Sequence, residues 1–482
     1  MADSRTLLSA GIDVGTTTTQ LVLSRLELTD QARPGQVPRF GIAGKSVLYQ
    51  SPIVFTPLLD NETVDAARLK EWVRNEYAAA GIDPQQVESG AVIITGETAK
   101  KRNADEILQA LAGMAGEFVV TVAGPHLESL IAGRGAGAAQ YSAQNFCRVT
   151  NVDIGGGSAN SAVFKAGTMV TAAAMNYGGR ILEIEHRSGT VRRIAAPAQA
   201  ILEDIGLALR VGDQPTLAQL RRFSERMADM TVELIEGTNS PLAQKLYLTP
   251  PAAVSGRGTV LMFSGGIGYH YFNPRRIEDV LDVTTYDDLG PLLGESLRSH
   301  PGLQGYRIVQ PAETLRATVL GASTQTVSLS GSTIWAEKGI LPLRNVPVVR
   351  PRLDGGGGAE AVSAAVREAL RRWDLDPAVD QFAVAFELED GKEFVFNDLV
   401  ALAEGLVHFG AHALTFAHPL VVIIERDYAQ ALGQAIKSLA PDRPLIVIDQ
   451  VELEEGDYID IGSPVMDGRV VPVTVKTLIF YH

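Results

Sequence analysis

Short apolar runs that break into glycine turns recur along the chain. Leu7 and Leu8 lead into Gly11-Ile12-Asp13-Val14-Gly15-Thr16-Thr17-Thr18-Thr19-Gln20, and apolar residues resume at Leu21-Val22-Leu23. This pattern predicts strand, tight turn, strand. Between Val64 and Ala80 the period changes: Val64, Leu69, Trp72, Val73 and Tyr77 fall near helical spacing, with Gly81 where a C-cap glycine belongs. Ala91-Val92-Ile93-Ile94 and Phe118-Val119-Val120-Thr121-Val122 read as strands. Leu217 to Gly237 reads as a helix whose Leu220, Phe223, Met227, Met230 and Leu234 form one core-facing stripe. Leu261-Met262-Phe263-Ser264-Gly265-Gly266-Ile267-Gly268 is a buried strand ending in a glycine turn. Asp354 to Gly358 reads as a linker, because it lacks the Gly-Lys-Ser/Thr of a P-loop. Beyond it, Ala359 to Trp373 is helical and Phe382 to Phe396 a hairpin around Glu389-Asp390-Gly391. Val451 to Phe480 is strand-rich, with a turn at Asp467-Gly468.

The first hairpin carries candidate chemistry. Gly15 has no Cβ to keep a ligand from the backbone. The N–H groups and hydroxyls of Thr16 and Thr17 can face phosphate oxygens, and Asp13 sits where a carboxylate could hold hydrated Mg²⁺. A single such turn is equally an ordinary hairpin. The same grammar returns, however, at Asn151-Val152-Asp153-Ile154-Gly155-Gly156-Gly157-Ser158, with Ser161-Ala162-Val163-Phe164 as its return strand. Repetition at domain-sized spacing points to an internal duplication.

Two such hairpins followed by the Ser264-Gly265-Gly266 turn, in this order, resemble the actin-like ATPase superfamily. The resemblance implies an α/β fold: duplicated ribonuclease-H-like lobes around a nucleotide cleft, with a C-terminal α/β extension. The expected domains are residues 1–148, the first lobe, and 149–345, the second lobe with the adenosine motif. Residues 346–482 would complete the second lobe or contact a partner. It also implies two helices crossing beneath the cleft, a position that suits the small residues from Ala132 to Ala139 and Thr318 to Ser323, with Gly133 and Gly321 as crossing points. Gly133-Arg134-Gly135-Ala136-Gly137 is not a dinucleotide fingerprint, since the spacing is wrong.

Composition narrows the partners. A chain of 482 residues has room for two or three domains. Its 46% apolar and 20% charged residues are those of an ordinary globular protein. A net charge of −14 argues against nucleic acid. No apolar run approaches the ~18 residues that span a bilayer, and Met1 to Arg5 lack a signal-peptide pattern. A lone cysteine, Cys147, fits a reducing cytoplasm and reads as a packed thiol. His408 and His412 share a helical face, but Phe409 stands where a zinc-protease helix has Glu. Arg180, after Tyr177-Gly178-Gly179, either faces the cleft or makes a surface ion pair.

Five segments resemble the ethanolamine ammonia-lyase reactivating factor family: both phosphate hairpins, Ile94-Thr95-Gly96-Glu97-Thr98-Ala99-Lys100, Ala123-Gly124-Pro125-His126-Leu127-Glu128-Ser129, and Gly456-Asp457-Tyr458-Ile459-Asp460-Ile461-Gly462. Ser158 departs from the Thr expected there and keeps the hydroxyl. The resemblance implies a cytoplasmic chaperone-like ATPase, in or beside a bacterial microcompartment. It would use ATP and Mg²⁺ to help an adenosylcobalamin enzyme, ethanolamine ammonia-lyase, release damaged cobalamin. A second copy of the chain is a further candidate partner, and neither nucleic acid nor membrane is expected. Asp13 and Asp153 would hold the metal, and Gly15, Thr16, Thr17, Thr18, Gly155, Gly156, Gly157 and Ser158 the phosphates. Gly265 and Gly266 would line the adenosine, and Glu97, Glu128 and His126 are candidates for placing the attacking water. Two alternatives stand beside this reading: a small-molecule kinase on the same fold, and a nucleotide-gated scaffold with little hydrolysis.

Overall fold

The computed structural model describes residues 4–15, 18–30, 40–60, 63–87, 89–94, 107, 110–111, 117–122, 124–252, 259–311, 313–314, 329–336, 340–341, 343–353, 358–387, 396–414, 418–449, 451, 453, 456–462 and 470–477. Two compact units make up the chain. One is built on Ala10–Ser24 and Val47–Ser323, the other on Met1–Ser9, Arg25–Ser46 and Thr324–Leu478.

One strand order occurs twice before residue 310. β1 (Ser4–Val14), β2 (Thr18–Asp30), β3 (Phe40–Gln50), β4 (Ser89–Ile94) and β5 (Glu117–Val122) run β3-β2-β1-β4-β5. β6 (Arg148–Ile154), β7 (Ala159–Lys165), β8 (Thr168–Met175), β9 (Val260–Ser264) and β10 (Arg307–Ile308) run β8-β7-β6-β9-β10. In the second sheet β6, β7 and β8 form an antiparallel meander that β9 and β10 continue in parallel. β4 and β5 are likewise parallel. The recurrence of one sheet order in one chain is the duplicated α/β architecture of the actin-like fold.

Local chemistry explains the elements. β9, Val-Leu-Met-Phe-Ser, is buried along its whole length between two parallel neighbours, as a continuous apolar run requires. α1 (Ala66–Ala80) starts where the Asp65 side chain accepts the Arg68 N–H and stops at Gly81, whose φ is 66°. α2 (Pro125–Gly135) opens on a proline and carries Glu128 in its first turn. α3 (Leu217–Glu236) begins with a Thr216–Gln219 capping box, and Leu220, Phe223, Met227, Met230 and Leu234 are all fully buried, as their spacing predicts. α4 (Gly265–Phe272) and α5 (Gly290–Ser299) pack together through Gly294, where a Cβ would lie 2.8 Å from His270.

Gly133 makes its close approach on the strand side of its helix. A Cβ there would lie 2.5 Å from Cε2 of Phe164, so the close approach is to a strand of the second sheet, β7. The partner segment Thr318 to Ser323, with Gly321, lies outside the described residues.

The other unit contains a closed barrel. Its strands are β11 (Leu329–Ala336), β12 (Leu343–Val349), β13 (Ala383–Phe386), β14 (Leu420–Ile424), β15 (Leu445–Asp449), β16 (Asp457–Ile461) and β17 (Val470–Thr477), in the order β11-β15-β14-β13-β12-β16-β17. Alternate residues, among them Val346, Val348, Ala383, Ala385, Val421, Ile423, Ile446 and Ile448, share one core. α6 (Ala359–Arg372), α7 (Phe396–Ala413) and α8 (Ala429–Leu439) alternate with the parallel strands. Gly405 lets α7 approach α6, where a Cβ would lie 2.5 Å from that of Val362.

The hairpin expected over Phe382 to Phe396 is not what forms. β13 is parallel to both β12 and β14, and Phe396 opens α7. The Glu389-Asp390-Gly391 turn, Asp354 to Gly357 and the Asp467-Gly468 turn lie outside the described residues. β16 and β17 pair antiparallel, so Asp460 sits on a hairpin strand, where it accepts the Asn345 N–H at 2.7 Å. His412 Nδ1 donates to the His408 carbonyl at 2.8 Å, and His408 Nδ1 lies 3.3 Å from Ser363 Oγ.

Candidate functional site

The two hairpin turns share a backbone geometry. In the first, the Gly15 N–H donates to Thr18 O at 2.9 Å; in the second, the Gly155 N–H donates to Ser158 O at 3.1 Å. Each turn follows an aspartate at the end of a central strand, and the two are equally buried, Asp13 at 8% exposure and Asp153 at 7%. Thr16 and Thr17 lie outside the described residues, as does Glu97.

Neighbouring segments brace the first turn. Gln20 Nε2 reaches Asp13 Oδ2 at 3.5 Å, and Thr56 Oγ1 donates to the Gly15 carbonyl at 2.7 Å. Thr19 Oγ1 lies 3.0 Å from Thr56 Oγ1. Val54–Phe55 pairs antiparallel with β2, with Phe55 opposite Thr18.

The second turn is braced more fully. β6 and β9 pair in register, setting Ser264 beside Asp153, and the Ser264 hydroxyl donates to Asp153 Oδ2 at 2.6 Å. Asn151 Nδ2 in turn donates to Ser264 Oγ at 2.9 Å. Burial pushes the Asp153 carboxyl up to about 6, and the Ser264 bond opposes that shift. Ser158 Oγ receives Asn160 Nδ2 at 3.2 Å and reaches Glu128 Oε1 at 3.5 Å, which brings the first turn of α2 to this hairpin. His126, on the same helix turn, is partly buried. Gly179 N–H donates to Gly155 O at 3.0 Å and Arg180 N–H to Gly156 O at 2.8 Å.

Glycines here divide into two sorts. A Cβ on Gly265 would lie 2.4 Å from Ile154 O, and its φ is 76°; one on Gly178 would lie 2.6 Å from Gly155 O. A Cβ on Gly155 or Gly266 would meet nothing within 4 Å. Two of the glycines singled out from the sequence therefore front open space, while Gly265 holds the glycine turn tight against β6.

Arg180 makes the ion pair its sequence position allows and also lies over an aromatic ring. Its guanidinium carbon lies 4.2 Å from the Phe55 ring centre, and its Nε lies 3.7 Å from Glu183 Oε1. Nearby, burial pushes the Asp288 carboxyl up to about 6, opposed by the Gly290 N–H and by the charge of Arg180.

Asp153, Gly155, Gly156, Ser158, Glu128 and Gly265 thus share one cluster, and Asp13, Gly15 and Thr18 another. Sequence reasoning did not assign Ser264, Asn151, Thr56 or Asp288. Ser264 was legible only as the polar end of an apolar run; its partner lies on another strand, and only register reveals the pairing.

These paired turns on duplicated lobes define a protein of the actin-like ATPase fold. The chain belongs to the ethanolamine utilisation protein EutA family, whose model matches residues 5–481. It is 45% identical over 478 residues to ethanolamine ammonia-lyase reactivase EutA of Salmonella typhimurium, covering 99% of each chain. The protein of the same name from Escherichia coli is 44% identical over 480 residues, again covering 99% of each. Among solved structures, a Ppx/GppA family member of Aquifex aeolicus is 14% identical, with a TM-score of 0.38 over 66% of this chain and 97% of its own. Ethanolamine utilisation protein EutJ of Carboxydothermus hydrogenoformans is 18% identical, with a TM-score of 0.33 over 65% of this chain and 88% of its own. At such scores the fold class rests on the repeated strand order itself. Among the described residues, no helix is long and apolar enough to cross a membrane.

Proposed function

We propose that this chain reactivates ethanolamine ammonia-lyase, using ATP and Mg²⁺ to promote release of damaged cobalamin so that intact adenosylcobalamin can rebind. The observation that carries the reading is the paired turn: aspartate, glycine N–H bonded three residues ahead, hydroxyl, occurring twice. Relatives at 44% and 45% identity that bear the reactivase name supply the partner.

The residues fit a metal–nucleotide complex. Both aspartates are hard oxygen donors, and the open faces of Gly155 and Gly266 leave room beside the turns. Asp13 and Asp153 would hold Mg²⁺, which when bound neutralises phosphate charge. Gly15, Thr16, Thr17 and Thr18 on one side, and Gly155, Gly156, Gly157 and Ser158 on the other, would hold the phosphates through N–H groups and hydroxyls. Gly265 and Gly266 would line the adenosine. Glu128, already within reach of Ser158, would orient the attacking water, with Glu97 and His126 as the other candidates. A terminal phosphate gripped by both hairpins favours one lobe arrangement over another only through its differential affinity for the two. That difference would be passed to the lyase as strain at its cobalamin site, in the cytoplasm or a microcompartment.

The test is recovery of activity in lyase inactivated with cyanocobalamin. This protein, ATP, Mg²⁺ and fresh adenosylcobalamin are added, with ATP omitted from the control. Recovery that requires ATP is the expected result. Recovery without ATP, or none at all, overturns the reading.

A further inference from the structure

Arg180 joins the supports of the two hairpins. Its own N–H donates to Gly156 O at 2.8 Å, so its backbone rides on the second turn. Its guanidinium lies over Phe55, which pairs with Thr18 at the end of the first turn, and the following residue, Thr56, donates to the carbonyl of Gly15. The side chain is only 14% exposed, yet its ion pair is long, 3.7 Å to a Glu183 oxygen that Arg193 approaches at 3.2 Å. Among the described residues, no hydrogen bond holds the guanidinium. The ring beneath it is 59% exposed, which makes the stacking weak. A planar cation with five N–H donors thus has a long ion pair to Glu183, the nearby charge of Asp288 and an exposed ring, while its backbone bonds directly to a turn read as a phosphate cradle.

Resting on the nucleotide reading above, we propose that Arg180 senses the terminal phosphate of a nucleoside triphosphate. Its guanidinium exchanges the Phe55 ring for phosphate oxygens, which offer charge-assisted, bidentate hydrogen bonds. A diphosphate offers no group at that position, so Arg180 stays on Phe55. The residue thereby converts a chemical difference between two nucleotides into a difference in contact between the hairpins, without making or breaking a covalent bond. Its role is positioning and sensing.

Phe55→Trp makes the contact visible, because tryptophan emission responds to a stacked cation. Binding of ADP and of a non-hydrolysable ATP analogue, each with Mg²⁺, is measured by calorimetry in wild type, Arg180→Met and Arg180→Lys. Arg180→Met is expected to weaken the triphosphate analogue about tenfold and ADP by less than about twofold, with Arg180→Lys recovering part of the loss. In Phe55→Trp the analogue, but not ADP, shifts the emission, and adding Arg180→Met abolishes the shift. Equal weakening of both nucleotides, or identical emission with both, overturns the role of Arg180 and leaves the nucleotide site standing. A wild-type chain that binds neither nucleotide overturns the site and this proposal together.

Discussion

Asp153 separates chemistry from stability at the scale of one residue. Its Oδ2 accepts the Ser264 hydroxyl, a bond that an asparagine oxygen can also accept, so Asp153→Asn keeps the local network. ATP turnover is expected to disappear in this variant while its circular dichroism and melting point stay near wild type; turnover at wild-type rate would remove Asp153 from the site. Gly265 behaves in the opposite way. With φ at 76° and Ile154 O 2.4 Å from any added Cβ, Gly265→Ala should cost about 2 kcal/mol or more, read as a lower urea midpoint. His270 adds a pH dependence. Burial, then the charges of Arg275 and Arg298, hold its imidazole down at about 4, against the ordinary 6.5. The unfolded chain takes up that proton near 6.5 and the folded chain near 4, so stability is complete above 6.5 and falls as pH drops through that window. Between pH 7 and 5 this loss is on the order of 2 kcal/mol. His270→Gln should flatten that part of the stability curve; an unchanged slope would mean another group is responsible. The aspartates were legible because residue type and turn stand side by side in the chain. Ser264 and Phe55 were not, because their partners are set by strand register and by tertiary approach.

Helices were more legible than strands, for a reason visible in particular elements. α3 declares itself through twenty residues of one period and a cap at each end, and its stripe is fully buried. Thr216→Ala, which removes the capping bond, should lower stability by about 1 kcal/mol in denaturant titration. β13 shows the opposite. Four apolar residues read the same in a hairpin arm and in a parallel strand buried on both faces, so pairing partners had to come from the fold. Gly133 shows a third kind of limit: a small residue announces close approach but not what approaches. Its neighbour is the Phe164 ring, so Gly133→Ala forces that ring aside, and an overpacking cost of about 1–3 kcal/mol is expected. Converting Phe164 to Leu in the same chain should return part of the loss, which a crossing against another helix would not allow.

Among the described residues, each unit has a hydrophobic cluster of its own: one contains Val152, Phe223, Phe263 and Leu293, and the other fills the barrel with Val348, Ala385, Ile423 and Ile448. Both candidate turns belong to the unit built on Ala10–Ser24 and Val47–Ser323. A ligand raises the stability of whatever folded unit binds it, by about 2.7 kcal/mol at a hundred times its dissociation constant. Calorimetry of the full chain is therefore expected to show two unfolding transitions, only one of which MgATP moves upward. Asp153→Asn should remove that movement without displacing the other transition. The competing outcome has its own physical meaning, since β1, β2 and β3 each carry residues of both units. A single transition that MgATP moves as a whole would show that these shared strands bind the two cores into one cooperative fold. The barrel would then be the place to seek variants that lose reactivation while retaining ATP turnover.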